Sequence, residues 1–193
     1  MKICIFGAAS DLIDDKYVKD TESLCLKLAK NGHELVFGAG ANGLMGAAAR
    51  GVKKGGGSIL GVIPKFFENE TIEAIYDKCD ELLTPDTMRE RKQLMEDNSD
   101  AFIITPGGIG TYEEFFEILT LKQLCRHNKP IAIFNIMGYY DGLNEVMNQA
   151  MQKNFIRENC STLFRITDNL DELLEYIETP VDDTLTVKQL KDG

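Results

Sequence analysis

The chain has 193 residues, of which 44% are hydrophobic and 27% charged, enough for one domain with a real core and short for two. A formal net charge of −10 excludes a general binder of nucleic acid or of membrane surfaces, since either needs a basic face. Five cysteines (4, 25, 79, 125 and 160) without close pairs, and only two histidines (His33 and His127), set aside a disulfide framework and a histidine-rich metal site and fit reduced thiols in a cytoplasmic protein.

Residues 2–6 open the chain as a strand and not as a signal peptide, and no apolar stretch is long enough to span a bilayer. The turn Gly7-Ala8-Ala9-Ser10 follows. Ser10 is either placed to reach a ligand outside the carboxyl end of that strand or is an ordinary turn serine. A helix at 16–31 leads to a strand at 34–38. The next turn, Gly38-Ala39-Gly40-Ala41-Asn42-Gly43, matches G-x-G-x-x-G and opens a helix at 43–55. Three features weaken a dinucleotide site. The turn follows the second strand, the strand at 59–63 ends at Ile63-Pro64 without an acid for a ribose hydroxyl, and Gly46 sits inside the helix. A helical glycine costs about 1 kcal/mol relative to alanine, so close packing or a ligand must compensate. Two readings stay open: a tight turn under a closely packed helix, or direct ligand contact at Gly43.

A strand at 81–84 precedes a helix at 86–97. Within it, Met88-Arg89-Glu90-Arg91-Lys92 places three cations in four residues of an acidic protein. Met88, Arg91 and Met95 share one helical face, with Lys92 close to the same stripe, so Arg91 is expected to point inward. A buried guanidinium needs an anion, here Glu114, a substrate phosphate or both; the alternative is a snorkelling or salt-bridged arginine.

A strand at 101–105 runs into Pro106-Gly107-Gly108-Ile109-Gly110-Thr111-Tyr112-Glu113-Glu114 and a helix at 111–126. Strand, glycine turn and helix start together make an anion site, because the first helical amides lack internal partners and the dipole adds positive charge. Thr111 and Glu114 also match a capping box, the default role for that carboxylate. The helix behind it is apolar nearly all round and is expected to be buried, which makes Glu114 a candidate general base or transition-state stabiliser.

The remaining elements are a strand at 130–134, a helix at 141–153, a strand at 162–166 and a helix at 169–178. Seven acids and no base fall in 168–183, read as a solvated helix face and the start of a tail over 179–193 that caps the fold or frays. Short apolar runs alternating with amphipathic stretches imply right-handed crossovers. The fold class is therefore α/β: a single Rossmann-like, doubly wound domain over 1–178, with a parallel sheet and helices on both faces.

The motif Pro106-Gly107-Gly108-x-Gly110-Thr111-x-x-Glu114 resembles the signature of the LOG ("Lonely Guy") family, cytokinin riboside 5′-monophosphate phosphoribohydrolases also labelled lysine-decarboxylase-like. Met88-x-x-Arg91-Lys92 is similar to that family's second block, and Gly40-x-x-Gly43-Leu44-Met45-Gly46 to a third. The Ser10 turn resembles its first phosphate-side loop, and the likeness covers roughly residues 1–178. The resemblance implies hydrolysis of the N-glycosidic bond of a nucleoside 5′-monophosphate, giving free base and ribose 5-phosphate with no metal or organic cofactor. It implies Arg91 and Glu114 as the catalytic pair. Gly107, Gly108, Gly110 and Thr111 would bind phosphate, Lys92 would lie beside the substrate, and Ser10, Gly43 and Met88 would complete the binding set. A homodimer is implied as in short members of the family. Two positions depart from the pattern: Arg89 stands where a histidine is usual, and Ala39 interrupts a run of three glycines.

A nucleotide or phosphorylated-cofactor carrier on the same fold, without hydrolysis, is the alternative. Amino-acid decarboxylation would need a lysine Schiff base with pyridoxal phosphate, and nothing in the sequence sets up that lysine.

Overall fold

The structure is a computed structural model, and it describes residues 1–70, 74–180 and 186–191. Seven strands form one parallel sheet in the order β4-β3-β2-β1-β5-β6-β7. They are β1 (Lys2–Phe6), β2 (Glu34–Phe37), β3 (Ile59–Val62), β4 (Glu81–Leu83), β5 (Ala101–Ile104), β6 (Ile131–Phe134) and β7 (Arg165–Thr167). The helices are α1 (Asp15–Lys30), α2 (Gly43–Lys54), α3 (Lys65–Glu70), α4 (Met88–Asp97), α5 (Ile109–Gln123), α6 (Asp141–Gln152), α7 (Leu170–Glu178) and α8 (Val187–Lys191). This is the doubly wound Rossmann-like architecture expected from the alternation of elements.

The pleat divides the apolar side chains between two cores. Ile3 and Ile5 of β1 face Leu24, Leu28, Ala48, Val52 and Leu173 on one side of the sheet, beneath α1, α2 and α7. Cys4 and Phe6 face Met95, Phe115, Ile118, Leu143 and Met147 on the other, beneath α4, α5 and α6. Strands β3, β5 and β6 are buried throughout, and β1 and β2 beyond their first residues Lys2 and Glu34, as their apolar runs require, whereas the short edge strands β4 and β7 are partly exposed.

Several local expectations change. The last strand sits at Arg165–Thr167, with residues 158–162 in a 3-10 turn. Helices α3 and α8 were not anticipated; they span only six and five residues, too short for a periodic signal. In α8, Leu190 is buried with Cys160 and Leu163 in the second core. The acids of α7 are not simply solvated: Asp171 pairs with Lys27, Glu172 accepts from Thr167 at 2.7 Å, and Glu178 accepts from Asn31 at 2.9 Å. Asp182 and Asp183 lie outside the described residues. Among the described residues no helix is long and apolar enough to cross a membrane.

The order of strands reverses between β1 and β5. In open parallel sheets the carboxyl ends of the strands at such a reversal frame the ligand crevice. Here those ends carry the Gly7–Ser10 turn and the Pro106–Gly110 loop, tied together by Ala8 N–H donating to the Pro106 carbonyl at 3.0 Å.

Candidate active site

The two glycine turns at the carboxyl edge end in different electrostatic states. At the start of α2 the amides are already used. Gly43 N–H donates to Asp11 Oδ1 at 2.9 Å, and Leu44 and Met45 donate to the Ala8 carbonyl at 2.8 and 3.3 Å. Gly43 has φ +55, and a Cβ there would lie 2.7 Å from the Ser10 carbonyl oxygen, so the Ser10 turn and Gly43 are pressed together. A Cβ at Gly46 would lie 1.9 Å from the Ala41 carbonyl oxygen. Close packing against that loop is thus what the helical glycine permits. The G-x-G-x-x-G segment forms a tight turn under a packed helix.

The start of α5 is open. Gly108 is its N-cap, with no side chain capping it, and the first intrahelical bond runs from Tyr112 N–H to the Gly108 carbonyl at 3.1 Å. The amides of 109–111 therefore have no acceptor within the helix. Gly108 and Gly110 are exposed, and a Cβ on either would meet nothing within 4 Å. Gly107, by contrast, is buried, and a Cβ there would lie 2.1 Å from Thr111 Oγ1, which packs the threonine under the loop.

This geometry overturns the capping-box role for Glu114. The helix begins at Ile109, two residues earlier than expected, because the glycine turn itself ends the extended segment and Ile109 and Gly110 are already helical. Thr111 is then inside the first turn, and Glu114 is too far along to reach the N-cap. A capping box forms on α4 instead. Thr87 Oγ1 accepts from Glu90 N–H at 3.1 Å and Glu90 Oε2 accepts from Thr87 N–H at 3.2 Å.

That box anchors the helix carrying Arg91, which is buried as expected. Its partners are not those foreseen. Arg91 Nε donates to the Val62 carbonyl at 3.2 Å, Nη2 to the Gly38 carbonyl at 3.2 Å, and Nη1 faces the Met88 sulfur at 3.8 Å. The guanidinium also lies 5.8 Å from the centre of the Phe67 ring. Gly38 makes room for it: a Cβ at Gly38 would sit 1.8 Å from Arg91 Nη2. Next to it Ala39 adopts φ +60, a conformation costing about 1 kcal/mol for an L-residue.

Glu114 lies within the electrostatic reach of Arg91 and Lys92 from α4, of Glu113 and Glu117 on its own helix, and of Cys4 on β1. Burial, helped by the charge of Glu113, pushes its carboxyl up to about 7 against the lowering field of Arg91. A partly buried carboxylate that titrates near neutrality, beside a fixed guanidinium, can take a proton from water at physiological pH. Lys92 binds Glu113 and Glu117, each at 2.5 Å, and so bridges α4 to α5. Met88 and Ser10 are exposed, and Ser10 Oγ accepts from Leu12 N–H at 3.2 Å. Neither histidine joins the group. His127 Nε2 lies 2.9 Å from the Ile118 carbonyl oxygen, and His33 Nε2 lies 2.8 Å from Glu178 Oε1.

A family model described as "Possible lysine decarboxylase" matches residues 45–177. Two curated cytokinin riboside 5′-monophosphate phosphoribohydrolases of Arabidopsis thaliana are each 33% identical. One aligns over 100% of this chain and 90% of its own length, the other over 97% and 82%. The chain belongs to the LOG family. Solved structures add the fold alone. A molybdenum cofactor binding protein from Rippkaea orientalis has TM-score 0.65 at 20% identity, covering 92% of this chain and 93% of that one. A Moco carrier protein from Chlamydomonas has TM-score 0.66 at 19% identity, with coverage of 88% and 90%.

Three residues that brace the LOG signature escaped the sequence reading. Tyr140 donates to the Thr105 carbonyl at 2.9 Å and Tyr139 to the Gly107 carbonyl at 2.6 Å, while the Tyr112 ring stands edge-on to Tyr140 with ring centres 5.7 Å apart. Their only sequence signal was an adjacent pair of tyrosines after a strand and a glycine. Helix α5 is also less buried than its composition implied, since Phe116 is 40% and Ile109 90% exposed.

Proposed function

We propose that this chain hydrolyses the N-glycosidic bond of adenine-type nucleoside 5′-monophosphates, including N6-substituted ones, releasing free base and ribose 5-phosphate. One observation carries the reading: a glycine loop with open helix-start amides lies on the same helix as a partly buried carboxylate raised to about 7. Membership of the LOG family supports it, since curated relatives carry that activity in their names.

The amides of 108–111 and the Thr111 hydroxyl hold the phosphate at the positive end of α5. Holding the phosphate fixes the ribose, so that water and the anomeric carbon meet in a set orientation. As the bond from the anomeric carbon to the base nitrogen breaks, its electron pair leaves with the base and positive charge develops on the ribose. The Glu114 carboxylate stabilises that charge and takes a proton from the attacking water. Water oxygen bonds to the anomeric carbon, and the departing base nitrogen gains the proton that Glu114 took from that water, which returns the carboxylate to its ionised form. Arg91, clamped by two carbonyls, keeps N–H groups free for sugar hydroxyls and offsets the charge of carboxylate and phosphate.

The test is a panel of AMP, adenosine and ADP with free base measured by chromatography. Release from AMP, with kcat/KM for adenosine at least about 100-fold lower, is expected because adenosine lacks the phosphate that the charge-assisted grip of the loop holds. Binding of AMP without release of base makes the protein a carrier instead.

The protein acts as a homodimer in a reducing, cytoplasmic setting. All five cysteines are free, and exposed Phe116 and Phe155 line a groove of about 630 Å³ between α5, α6 and α8 that a second copy would cover. Light scattering at micromolar concentration should give twice the 21.6 kDa chain mass; a monomer rejects the dimer.

A further inference from the structure

The turn after β6 is strained without an evident need in the sheet. Met137 takes φ 55 and Gly138 φ 72 in a short 3-10 turn, Ile136–Gly138. A non-glycine residue there costs about 1 kcal/mol or more. Asn135 holds the turn together by accepting from Tyr140 N–H at 2.7 Å and donating to Asp141 at 2.8 Å. The result is delivery of two adjacent phenols to the carbonyls of Thr105 and Gly107, both in the loop that precedes α5.

In a planar trans peptide the carbonyl and the following N–H point in opposite directions. Fixing the Gly107 carbonyl toward Tyr139 therefore aims the Gly108 N–H away from the phenol, toward the open side of the loop. Gly108 is exposed and has no packing of its own to hold that orientation. Without the phenol, the peptide between two glycines is free to rotate as a unit, because neither flanking residue has a Cβ to resist it.

We propose that Tyr139 is a positioning residue that locks the Gly107–Gly108 peptide with its N–H presented to the substrate phosphate. The Tyr139 ring stands edge-on to Tyr140 at 4.9 Å, and Tyr140 edge-on to Tyr112 in the first turn of α5 at 5.7 Å, so aromatic packing ties the phenol to the helix start. Tyr140 is 1% exposed and belongs to the core, whereas Tyr139 is 40% exposed and stands edge-on to Tyr17 at 6.1 Å. Tyr139 is therefore the member whose hydroxyl can be removed without disturbing the core.

The inference rests on the monophosphate reading of the loop, and the experiment separates the two. Wild type and Tyr139→Phe are compared by calorimetric titration with ribose 5-phosphate and with adenosine, by kinetics on AMP, and by thermal melting. Losing one oriented amide should raise the Kd for ribose 5-phosphate and the KM for AMP about five- to tenfold. Change in kcat should stay within about twofold, since the amide holds phosphate equally in ground and transition states. Adenosine binding and melting temperature should not move. Equal ribose 5-phosphate affinity in the two proteins overturns the proposal, as does an equal loss toward adenosine, which marks general damage. A wild type that binds AMP without cleaving it overturns the hydrolase reading, while the Kd comparison still decides the role of Tyr139.

Discussion

Glu114→Gln is expected to abolish release of base from AMP, a fall of about 100- to 10,000-fold as for loss of a general base, while AMP still binds. The substitution keeps shape and removes only the charge and the proton-accepting oxygen. Near-full turnover in the variant rejects the assignment. The wild-type pH profile carries the same information. Burial holds the carboxyl at about 7, and only the ionised form accepts a proton from water, so kcat/KM should rise with pH through about 7 and level off above it. A profile that falls through 7 would mean the protonated acid does the work. Stability runs the other way. The folded-state pKa is raised above the ordinary value of 4.5, so the contribution to stability is fully present below 4.5 and is lost as pH rises through about 7. Glu114→Gln, which has no charge to bury, should therefore melt higher than wild type at pH 8, and the difference should shrink near pH 4. Activity lost with stability gained is the signature of a carboxylate held in place for chemistry and not for folding.

The second large effect comes from a residue with no reactive group. Gly38→Ala places a methyl carbon 1.8 Å from Arg91 Nη2, and that position cannot coexist with the guanidinium. Arg91 must swing away, giving up its bonds to Val62 and Gly38 and its electrostatic hold on Glu114. Turnover should fall to the level of Arg91→Ala, and stability by about 1–3 kcal/mol from the overpacked core. The double variant Gly38→Ala with Arg91→Ala should be no slower than either alone, because both remove the same cation. Losses that multiply would show that Gly38 acts through something other than the arginine. Kinetics on AMP and urea denaturation of the three variants read both quantities.

Much of this was legible in the chain itself. The inner strands announced themselves as short apolar runs, and their alternation with amphipathic stretches implied parallel order and crossover handedness. Arg91 was legible as an inward-pointing cation because helical spacing sets direction along with contact. Its ligands were not, since Val62 and Gly38 are 29 and 53 residues away in sequence and offer backbone carbonyls, which every residue has. The capping box was misplaced for a related reason. Both Thr87–Glu90 and Thr111–Glu114 fit the four-residue pattern, and only the true helix start tells them apart.

The amino-acid sequence by itself determined the order and kind of the principal elements, the glycine loop, and the residues that could carry chemistry. Each of these depends on neighbours within a turn or a strand. Tertiary structure alone decided which of two glycine turns keeps open amides. The α2 turn loses its donors to Asp11 and Ala8 of another loop, while the α5 turn keeps them. It also decided that Gly38 seats the guanidinium and that Tyr139 sets the loop. The physical reason is shared. A backbone donor or acceptor looks the same in every sequence, and what satisfies it depends on which distant segment the fold brings within 3 Å.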